Sequence, residues 1–352
     1  MTQFAEIKLK IPPQRNPYEG EGKPMGLRTY ILKRIFYSLL LVYFVITINF
    51  FIFMLMPGDP VLRLADAGKI RDPAVVNSLI EQFGLDRPIH EQYAKYVVNM
   101  LTGQFGVSYY TRKPVSTEVA LRLQNTLVLV VPPEIFSIVI GIALGVIAAY
   151  KRGSLFDSAA VITSLTTYSL PVFWIAMMLI LFFSYNLHWF PAGHTIPDHW
   201  LLYPPQSIWE ELTTRLWHLV LPWVTLFLLS YGSYLLLTRA TVLECITEDY
   251  VVTARAKGLK ERTVLFKHTL KNASLPIITD VAIVFGFMLS GAIITEQVFM
   301  YPGLGMWIWK AIDNFDYPAL QAIFLIIAIC VIIANFIADL VYGVIDPRVK
   351  YG

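Results

Sequence analysis

The apolar stretch at residues 126–150 has the sequence TLVLVVPPEIFSIVIGIALGVIAAY, and Glu134 is its only charged side chain. A helix rises 1.5 Å per residue, so about 20 apolar residues are enough to cross the roughly 30 Å hydrocarbon core of a membrane. No water reaches the backbone there, and its amides must therefore bond within the segment. The stretch predicts a membrane-spanning helix.

The rest of the chain has the same character. Of its 352 residues, 56% are hydrophobic and 15% are charged, whereas a soluble domain carries about 25% charged residues. The apolar residues fall into six blocks at 33–56, 126–150, 158–184, 216–237, 276–298 and 318–342. These blocks predict an all-α membrane protein with six transmembrane helices.

Basic residues are concentrated in four connections: the amino-terminal tail, the turn at Lys151 and Arg152, the loop 238–275 and the carboxyl-terminal tail. Lysine and arginine accumulate on the cytoplasmic side of membrane proteins. We therefore expect both termini and the loop 238–275 to be cytoplasmic. The long loop 57–125 is expected outside, because long loops are translocated largely regardless of their charge.

The predicted organisation follows from these boundaries. A disordered cytoplasmic tail at 1–32 precedes the first transmembrane helix at 33–56 and an external helical cap at 57–125. A core transmembrane domain at 126–342 contains the other five helices and the loop 238–275, and a cytoplasmic tail follows at 343–352. Two amphipathic helices are predicted within the cap, at Pro73–Phe83 and Pro88–Leu101.

Catalytic motifs are incomplete in this chain. The segment that begins at His90 resembles a zinc-protease helix, but Ala94 stands where the second histidine is needed. Ser108 resembles the nucleophile of a serine hydrolase turn, but Tyr110 stands where the closing glycine is needed. The sequence therefore predicts a non-catalytic protein that binds no cofactor of its own.

The loop 238–275 is too polar to lie in lipid and is predicted to form two short helices separated at Gly258. Glu248 and Asp249 lie at the amino end of the first helix, and Arg255 and Lys257 lie at its carboxyl end. Both placements are favourable to the helix dipole. Glycine is the residue that most often ends a helix, which supports the break at Gly258.

The second helix of this loop is predicted to be amphipathic and to run toward the fifth span, whose start Pro276 marks. Its apolar face is predicted to contain Leu265, Phe266, Thr269, Leu270 and Ala273, opposite Arg262, Lys267 and Lys271. One interpretation is a basic helix that rests on anionic lipid. The glycine break and the direct join to a span favour the other, a docking element for a cytoplasmic partner.

Ionisable groups within a span are functional hypotheses by default. Glu134 lies roughly 14 Å into the second span, and Pro132 and Pro133 are expected to kink that helix and turn free carbonyls toward a cavity. Glu134 and Glu296 are therefore candidates to line a substrate path. The alternative for Glu134 is a protonated carboxyl bonded to a neighbouring helix, and bonding between helices or snorkelling also suffices for Glu296.

Eight further segments complete the pattern: Pro57–Pro60, Phe83–Pro88, Pro171–Trp174, Trp189–Gly193, Thr253–Leu259, Tyr301–Gly305, Asp316–Pro318 and Asp346–Gly352. With them, residues 28–352 resemble the permease subunits of ATP-binding-cassette importers, in the oligopeptide/dipeptide branch. The resemblance implies the fold of a type I importer permease. One departure is that Val252, Thr253 and Ala254 replace the glutamate-alanine-alanine sequence of the wider superfamily, so no glutamate role is transferred there.

The resemblance also implies that Thr247–Pro276 couples transport to an ATPase by seating its helix in a groove on that subunit. The residues expected to take part are Glu248, Asp249, Tyr250, Ala254, Arg255, Lys257, Gly258, Leu259, Phe266, Lys267 and Pro276. The implied protein partners are a homologous second permease, two ATP-binding subunits that hold ATP and Mg, and an external substrate-binding protein. Membrane lipid is a further expected partner and nucleic acid is not. The implied location is the inner or plasma membrane of a prokaryote.

The implied substrate is a di- or oligopeptide, although the same branch includes importers of oligosaccharides, nickel and other small solutes. Two other functional classes stay open at this point. A stand-alone secondary transporter predicts an internal repeat with paired broken helices. A membrane-embedded hydrolase predicts activity that depends on Ser108 or His90.

Overall fold

The computed structural model describes residues 27–55 and 87–345. The predicted tail up to residue 26, the predicted cap helix at Pro73–Phe83 and the segments Pro57–Pro60 and Asp346–Gly352 lie outside the described residues. Within them the chain is almost entirely helical, and the β-type pairing is one bridge between Val107 and Pro114. This agrees with the predicted all-α class.

The helices of the described residues are numbered in chain order. They are α1 Leu27–Leu55, α2 Ile89–Thr102, α3 Val115–Tyr150, α4 Leu155–Ser169, α5 Val172–Leu179, α6 Ile208–Cys245, α7 Asp249–Ala256, α8 Leu270–Gly291, α9 Ile293–Val298, α10 Leu304–Asp313 and α11 Tyr317–Ile345. Two π-helical turns, Ile180–Asn186 and Val264–Thr269, continue α5 and lead into α8. A 3₁₀ turn occupies Asp198–Leu201, and a short helical turn occupies Glu261–Thr263.

Among the described residues, four helices are long and apolar enough to cross a membrane: Thr29–Met54, Val115–Tyr150, Ile208–Cys245 and Tyr317–Ile337. A fifth candidate is α4 together with α5 and its continuation, but these two arms meet at an angle of 103°. The predicted span at 158–184 is therefore bent into two arms, and it counts as one span only if both arms cross the membrane together. The bend lies at Pro171, because a residue before proline avoids the helical region and Leu170 is extended (φ −79°, ψ 140°).

The predicted span at 276–298 is divided between α8 and α9, which are separated at Ala292. The count of six spans is therefore not confirmed. Pro276 lies inside α8 instead of marking its start, because the helix already begins at Leu270. The first helix also begins earlier than predicted, at Leu27, so the predicted tail at 1–32 overlaps its first residues.

The centre of the molecule is the long contact between α3 and α6. Glycines allow the two helices to approach closely: a Cβ at Gly141 would lie 2.7 Å from the carbonyl oxygen of Tyr231, and one at Gly145 would lie 2.7 Å from that of Leu235. Real Cβ atoms do not come so near to backbone, so any larger residue would separate the helices. The helices α4, α8 and α11 pack around this pair, and α1 packs on α11.

The described segment between α1 and α3 is tied to the spans by polar contacts. Helix α2 occupies Ile89–Thr102, where an amphipathic helix is predicted, and the Tyr93 hydroxyl shares a 2.7 Å hydrogen bond with the hydroxyl of Thr47 on α1. The buried carboxylate of Asp316, just before α11, accepts from the backbone N–H of Tyr109 at 2.9 Å and from the hydroxyl of Ser108. These contacts fix the segment before α3 against the last helix.

Candidate functional site

The polar loop, residues 246–269, is folded as a compact unit. Val251 and Ala254 of α7 are buried against Val264 of the second segment. Gly258 has φ +73°, a left-handed conformation that glycine adopts without steric cost, and its N–H donates to the carbonyl of Arg255 at 2.9 Å. The chain therefore reverses at Gly258 with its hydrogen bonds satisfied, as the sequence predicts.

An ion pair bridges the two arms of the polar loop. Arg255 Nε donates to Glu261 Oε1 at 2.9 Å, across the turn at Gly258. Both side chains are partly exposed, so the pair adds little stability, and it joins the two arms across the turn. Arg255 is thus engaged within the loop, while Lys257 is exposed.

Tyr250 anchors α7 to the end of α6. Its hydroxyl donates to the carbonyl oxygen of Cys245 at 3.5 Å, and its ring packs against the buried cluster of Val251, Ala254 and Val264. Burial raises the pKa of the Tyr250 hydroxyl, so it remains a neutral hydrogen-bond donor at neutral pH. Glu248 and Asp249 at the start of α7 are exposed.

The second arm of the polar loop differs from its prediction at Phe266. Leu265 and Thr269 are buried, whereas Phe266 is 44% exposed. The reason is the π-helical turn at Val264–Thr269, whose bonds join residues five apart and shift the phase of the helix. Phe266 therefore does not share the apolar face predicted for it, and lies at the surface with the exposed Lys267.

Three large apolar side chains of the polar loop are exposed: Val252 (57%), Leu259 (39%) and Phe266 (44%). Exposed apolar groups surrounded by charged ones are typical of a surface that a partner covers. The described surface of the polar loop therefore presents both apolar and charged side chains, and a protein interface uses both.

The second candidate site is the buried carboxyl of Glu134, near the middle of α3. The hydroxyl of Tyr234 on α6 donates to Glu134 Oε1 at 2.5 Å, and Ser230 lies near this carboxylate. Glu134 also lines a cavity of about 270 Å³ between α3, α6 and α8. The structure thus shows a bond from Glu134 to a neighbouring helix and a cavity beside its carboxyl, and the lining of a substrate path stays a prediction.

The prolines before Glu134 do not interrupt α3, which continues through Pro132 and Pro133. Proline has no N–H, so Pro132 leaves the carbonyl of Val128 without its helical partner. The indole Nε1 of Trp223 on α6 donates to that carbonyl at 3.1 Å. The expectation that free carbonyls face a cavity is therefore wrong for Val128, whose carbonyl instead joins α3 to α6.

Glu296, the other path candidate, is fully buried on α9. Its carboxylate accepts from the hydroxyl of Thr126 at 2.7 Å and from the backbone N–H of Met306 at 2.8 Å. The missing Cβ of Gly303 makes room for the carboxylate, which a side chain there would overlap. In this structure Glu296 therefore caps the start of α10, and path lining by Glu296 stays a prediction.

Comparison with known proteins agrees with this arrangement. The family described as "Binding-protein-dependent transport system inner membrane component" matches residues 141–351, and its amino-terminal counterpart matches residues 27–130. The chain belongs to this family. The protein is therefore a membrane permease of this family.

Relatives of the permease cover nearly its whole length. The dipeptide transport system permease of Escherichia coli (strain K12) is 38% identical over 320 residues, covering 87% of this chain and 94% of the relative. The di/tripeptide permease of Pseudomonas aeruginosa is 37% identical over 317 residues (86% and 93%). The oligopeptide permease of Bacillus subtilis is 35% identical over 328 residues (92% and 100%).

A solved structure shares the fold. The inward-facing MetNI methionine ABC transporter matches with a TM-score of 0.51 and 16% identity, over 66% of this chain and 98% of the other. At this identity the match concerns the fold alone. It supports the prediction of an ABC importer permease fold.

Sequence reasoning missed one ion pair of the permease. Asp157, at the start of α4, is buried and accepts from Arg239 Nε on α6 at 2.6 Å and from Arg239 Nη2 at 2.9 Å. Arg239 is counted among the loop charges in the sequence, yet it lies within α6. Only the three-dimensional approach of α4 to α6 reveals this pair, because the two residues are far apart in the chain.

We expect Asp157→Asn to destabilise the permease by about 2 kcal/mol, because breaking a largely buried ion pair leaves a charge without its partner. The double variant Asp157→Asn/Arg239→Gln should recover part of this loss, since neither charge then remains. The thermal midpoint of the detergent-solubilised complex measures both effects. Strictly additive losses in the double-mutant cycle would exclude a direct interaction.

Proposed function

We propose that the permease forms half of the translocation path of an ATP-driven importer of di- and oligopeptides. The observation that carries the coupling role is the compact polar loop with its exposed Val252, Leu259 and Phe266. The substrate class is supported by the relatives, whose names specify dipeptides, di- and tripeptides, or oligopeptides. The permease performs no chemistry of its own in this proposal.

The proposed complex places this permease beside a homologous second permease, with two ATP-binding subunits on the cytoplasmic side. Those subunits would hold ATP and Mg, and a substrate-binding protein would deliver the solute at the outer face. Both termini and the polar loop would be cytoplasmic. The cell membrane of a prokaryote is the proposed location.

The packing of the polar loop supports a mechanical role. Val251 and Ala254 of α7 contact Val264, and the next residue, Leu265, packs against Val146 of α3 and Val242 of α6. The same segment leads directly into α8. A displacement of α7 by an ATPase would therefore reach the three central helices α3, α6 and α8 through buried contacts, with no flexible link between them.

Charge reversal on the polar loop and the adjoining first turn of α8 tests this proposal. With Lys257, Lys267 and Lys271 all changed to Glu, we expect uptake of a radiolabelled dipeptide into proteoliposomes to fall by about tenfold or more, because opposite charges across an interface set its affinity. The assay contains the partner subunits, the binding protein and ATP. Insertion of the triple variant in the membrane should be normal.

A matched control is Arg152→Glu, which reverses an exposed charge on the turn between α3 and α4, outside residues 246–269. Its uptake should stay close to that of the unmodified complex. Normal uptake by the triple variant would contradict the docking role. Uptake driven by a proton gradient without ATP would favour a secondary transporter, and uptake of an oligosaccharide instead of the dipeptide would correct the substrate.

A further inference from the structure

The cavity beside Glu134 has an unusual lining for its position among the central helices. Glu134 and Ser230 are its polar members, and the others are Val130, Leu226, Ile283, Val284, Met288 and Ala292. The lining of the cavity therefore contains one carboxylate and one hydroxyl among apolar side chains. This is the general form of a small-molecule site, in which a few polar groups orient a mostly apolar ligand.

Among the residues that the structure describes, no lysine, arginine or histidine forms a salt bridge with Glu134. The salt bridges there join other residues. Its carboxylate accepts instead from the neutral hydroxyl of Tyr234, and Ser230 is the other polar residue that lines the cavity. A buried carboxylate without a cation is costly. A cationic group entering the cavity would supply the missing charge.

The chemistry of the cavity selects the kind of cation. A hard metal ion such as calcium takes six to eight oxygen ligands, whereas this cavity offers one carboxylate and one hydroxyl, and no metal-binding cluster occurs among the described residues. A primary ammonium needs only a few acceptors. The apolar lining then suits the carbon skeleton attached to it.

We propose that this cavity binds the amino-terminal ammonium of a peptide during its passage, with Glu134 accepting the ammonium and the apolar wall receiving the first side chain. This inference rests on the proposed function, because it names the part of the peptide that the permease holds. A cavity of about 270 Å³ accommodates the end of a peptide and not the whole of a long one. Peptides of different length and sequence share this end, so such a site serves substrates of varied composition.

The first test is peptide uptake by the assembled importer at saturating binding protein. Glu134→Gln keeps an oxygen that accepts from Tyr234 but removes the charge, and we expect its maximal uptake to fall by about tenfold, as for the loss of one charge-assisted hydrogen bond. Glu134→Asp should recover part of the uptake. Tyr234→Phe, which removes the internal bond and keeps the carboxylate, should lower uptake far less than Glu134→Gln.

The second test measures whether the cavity prefers a cationic reagent to an anionic one, and it does not require the binding protein. In the complex with Cys245→Ser and Cys330→Ala, Ser230→Cys should react faster with aminoethyl methanethiosulfonate, a primary ammonium, than with the anionic sulfonatoethyl reagent. Adding Glu134→Gln should abolish this preference. Equal reaction rates of the two reagents, or a preference that survives Glu134→Gln, would overturn the inference.

The two tests separate this inference from the proposed function. Full dipeptide uptake by the Glu134→Gln complex would remove the ammonium site and leave the peptide importer intact. A complex with unmodified Glu134 that takes up no peptide, yet keeps the cation preference at residue 230, would instead remove the proposed substrate class.

Discussion

Replacing Gly258 with proline is expected to abolish ATP-driven uptake while leaving the permease inserted and assembled. Gly258 has φ +73°, whereas proline is restricted to φ near −65°. Proline would also remove the N–H that donates to the carbonyl of Arg255 at 2.9 Å. A local cost of about 3 kcal/mol corresponds to roughly a hundredfold loss of the competent loop conformation.

The physical reason for so large an effect is that Gly258 sets the position of both arms of the polar loop. A change of backbone direction there separates Val251 from Val264 and parts Arg255 from Glu261. A movement of α7 would then no longer be transmitted through buried contacts to α3, α6 and α8. We expect ATP hydrolysis by the complex to continue without responding to the loaded binding protein, which a paired measurement of phosphate release and uptake would detect.

Gly103 provides a matched control for this prediction. Its φ is +72°, it ends α2 as Gly258 ends the first arm of the polar loop, and at both glycines the position that a Cβ would occupy has no other atom within 4 Å. Alanine at either position should cost about 1 kcal/mol, since both need a left-handed conformation. Only Gly258→Ala should also reduce coupling. Equal loss of uptake in both alanine variants would mean that the polar loop has no special role.

The sequence predicts well those features that depend on local pattern. Apolar length identifies α1, α3, α6 and α11 as spans, and the glycine at 258 is sufficient to predict the break in the polar loop. Each of these signals lies in a few consecutive residues. The backbone has to satisfy its own hydrogen bonds in lipid, so tertiary packing has little freedom to override them.

The predictions are wrong where the same local sequence signal, such as a proline, can lead to two different structures. Pro132 and Pro133 are accommodated within α3, and Trp223 takes the carbonyl of Val128, whereas Pro171 produces a bend of 103°. A proline by itself does not show whether a helix continues or bends. That depends on whether a neighbouring helix donates a hydrogen bond to the carbonyl that the proline leaves free. The exposure of Phe266 has a similar cause, since a π-helical turn has no clear sequence signal.

The contacts of the two buried carboxyls, Glu134 and Glu296, also could not be predicted from the sequence. The sequence places Glu134 deep in its predicted span and Glu296 near the end of its own, and it identifies both as ionisable groups within a span. Neither periodicity nor spacing shows the partners of the two carboxyls. Their partners differ: Glu134 accepts from the hydroxyl of Tyr234 beside a cavity, and Glu296 accepts from the backbone N–H of Met306 at the start of α10. Path lining by Glu134 stays a prediction, and the role that the contacts of Glu296 support is structural.

Gly303→Ala is therefore expected to destabilise the permease strongly, although alanine is a small change. The φ of Gly303 is −95°, which any residue adopts, so the backbone contributes no strain. The new methyl group would overlap the carboxylate of Glu296 and force it away from Thr126 and Met306. Leaving buried donors without an acceptor costs about 1 to 3 kcal/mol each, so we expect a loss of about 3 kcal/mol in the thermal unfolding of the purified complex.

A double-mutant cycle decides whether the carboxylate is the cause. Glu296→Ala alone should destabilise the permease by a similar amount, because it leaves the same donors unpaired. On that background Gly303→Ala should have almost no further effect, since the methyl group then occupies the space that the carboxylate has left. Two losses that simply add would show that Gly303 acts through another contact, and that Glu296 is not held at the start of α10 in the working protein.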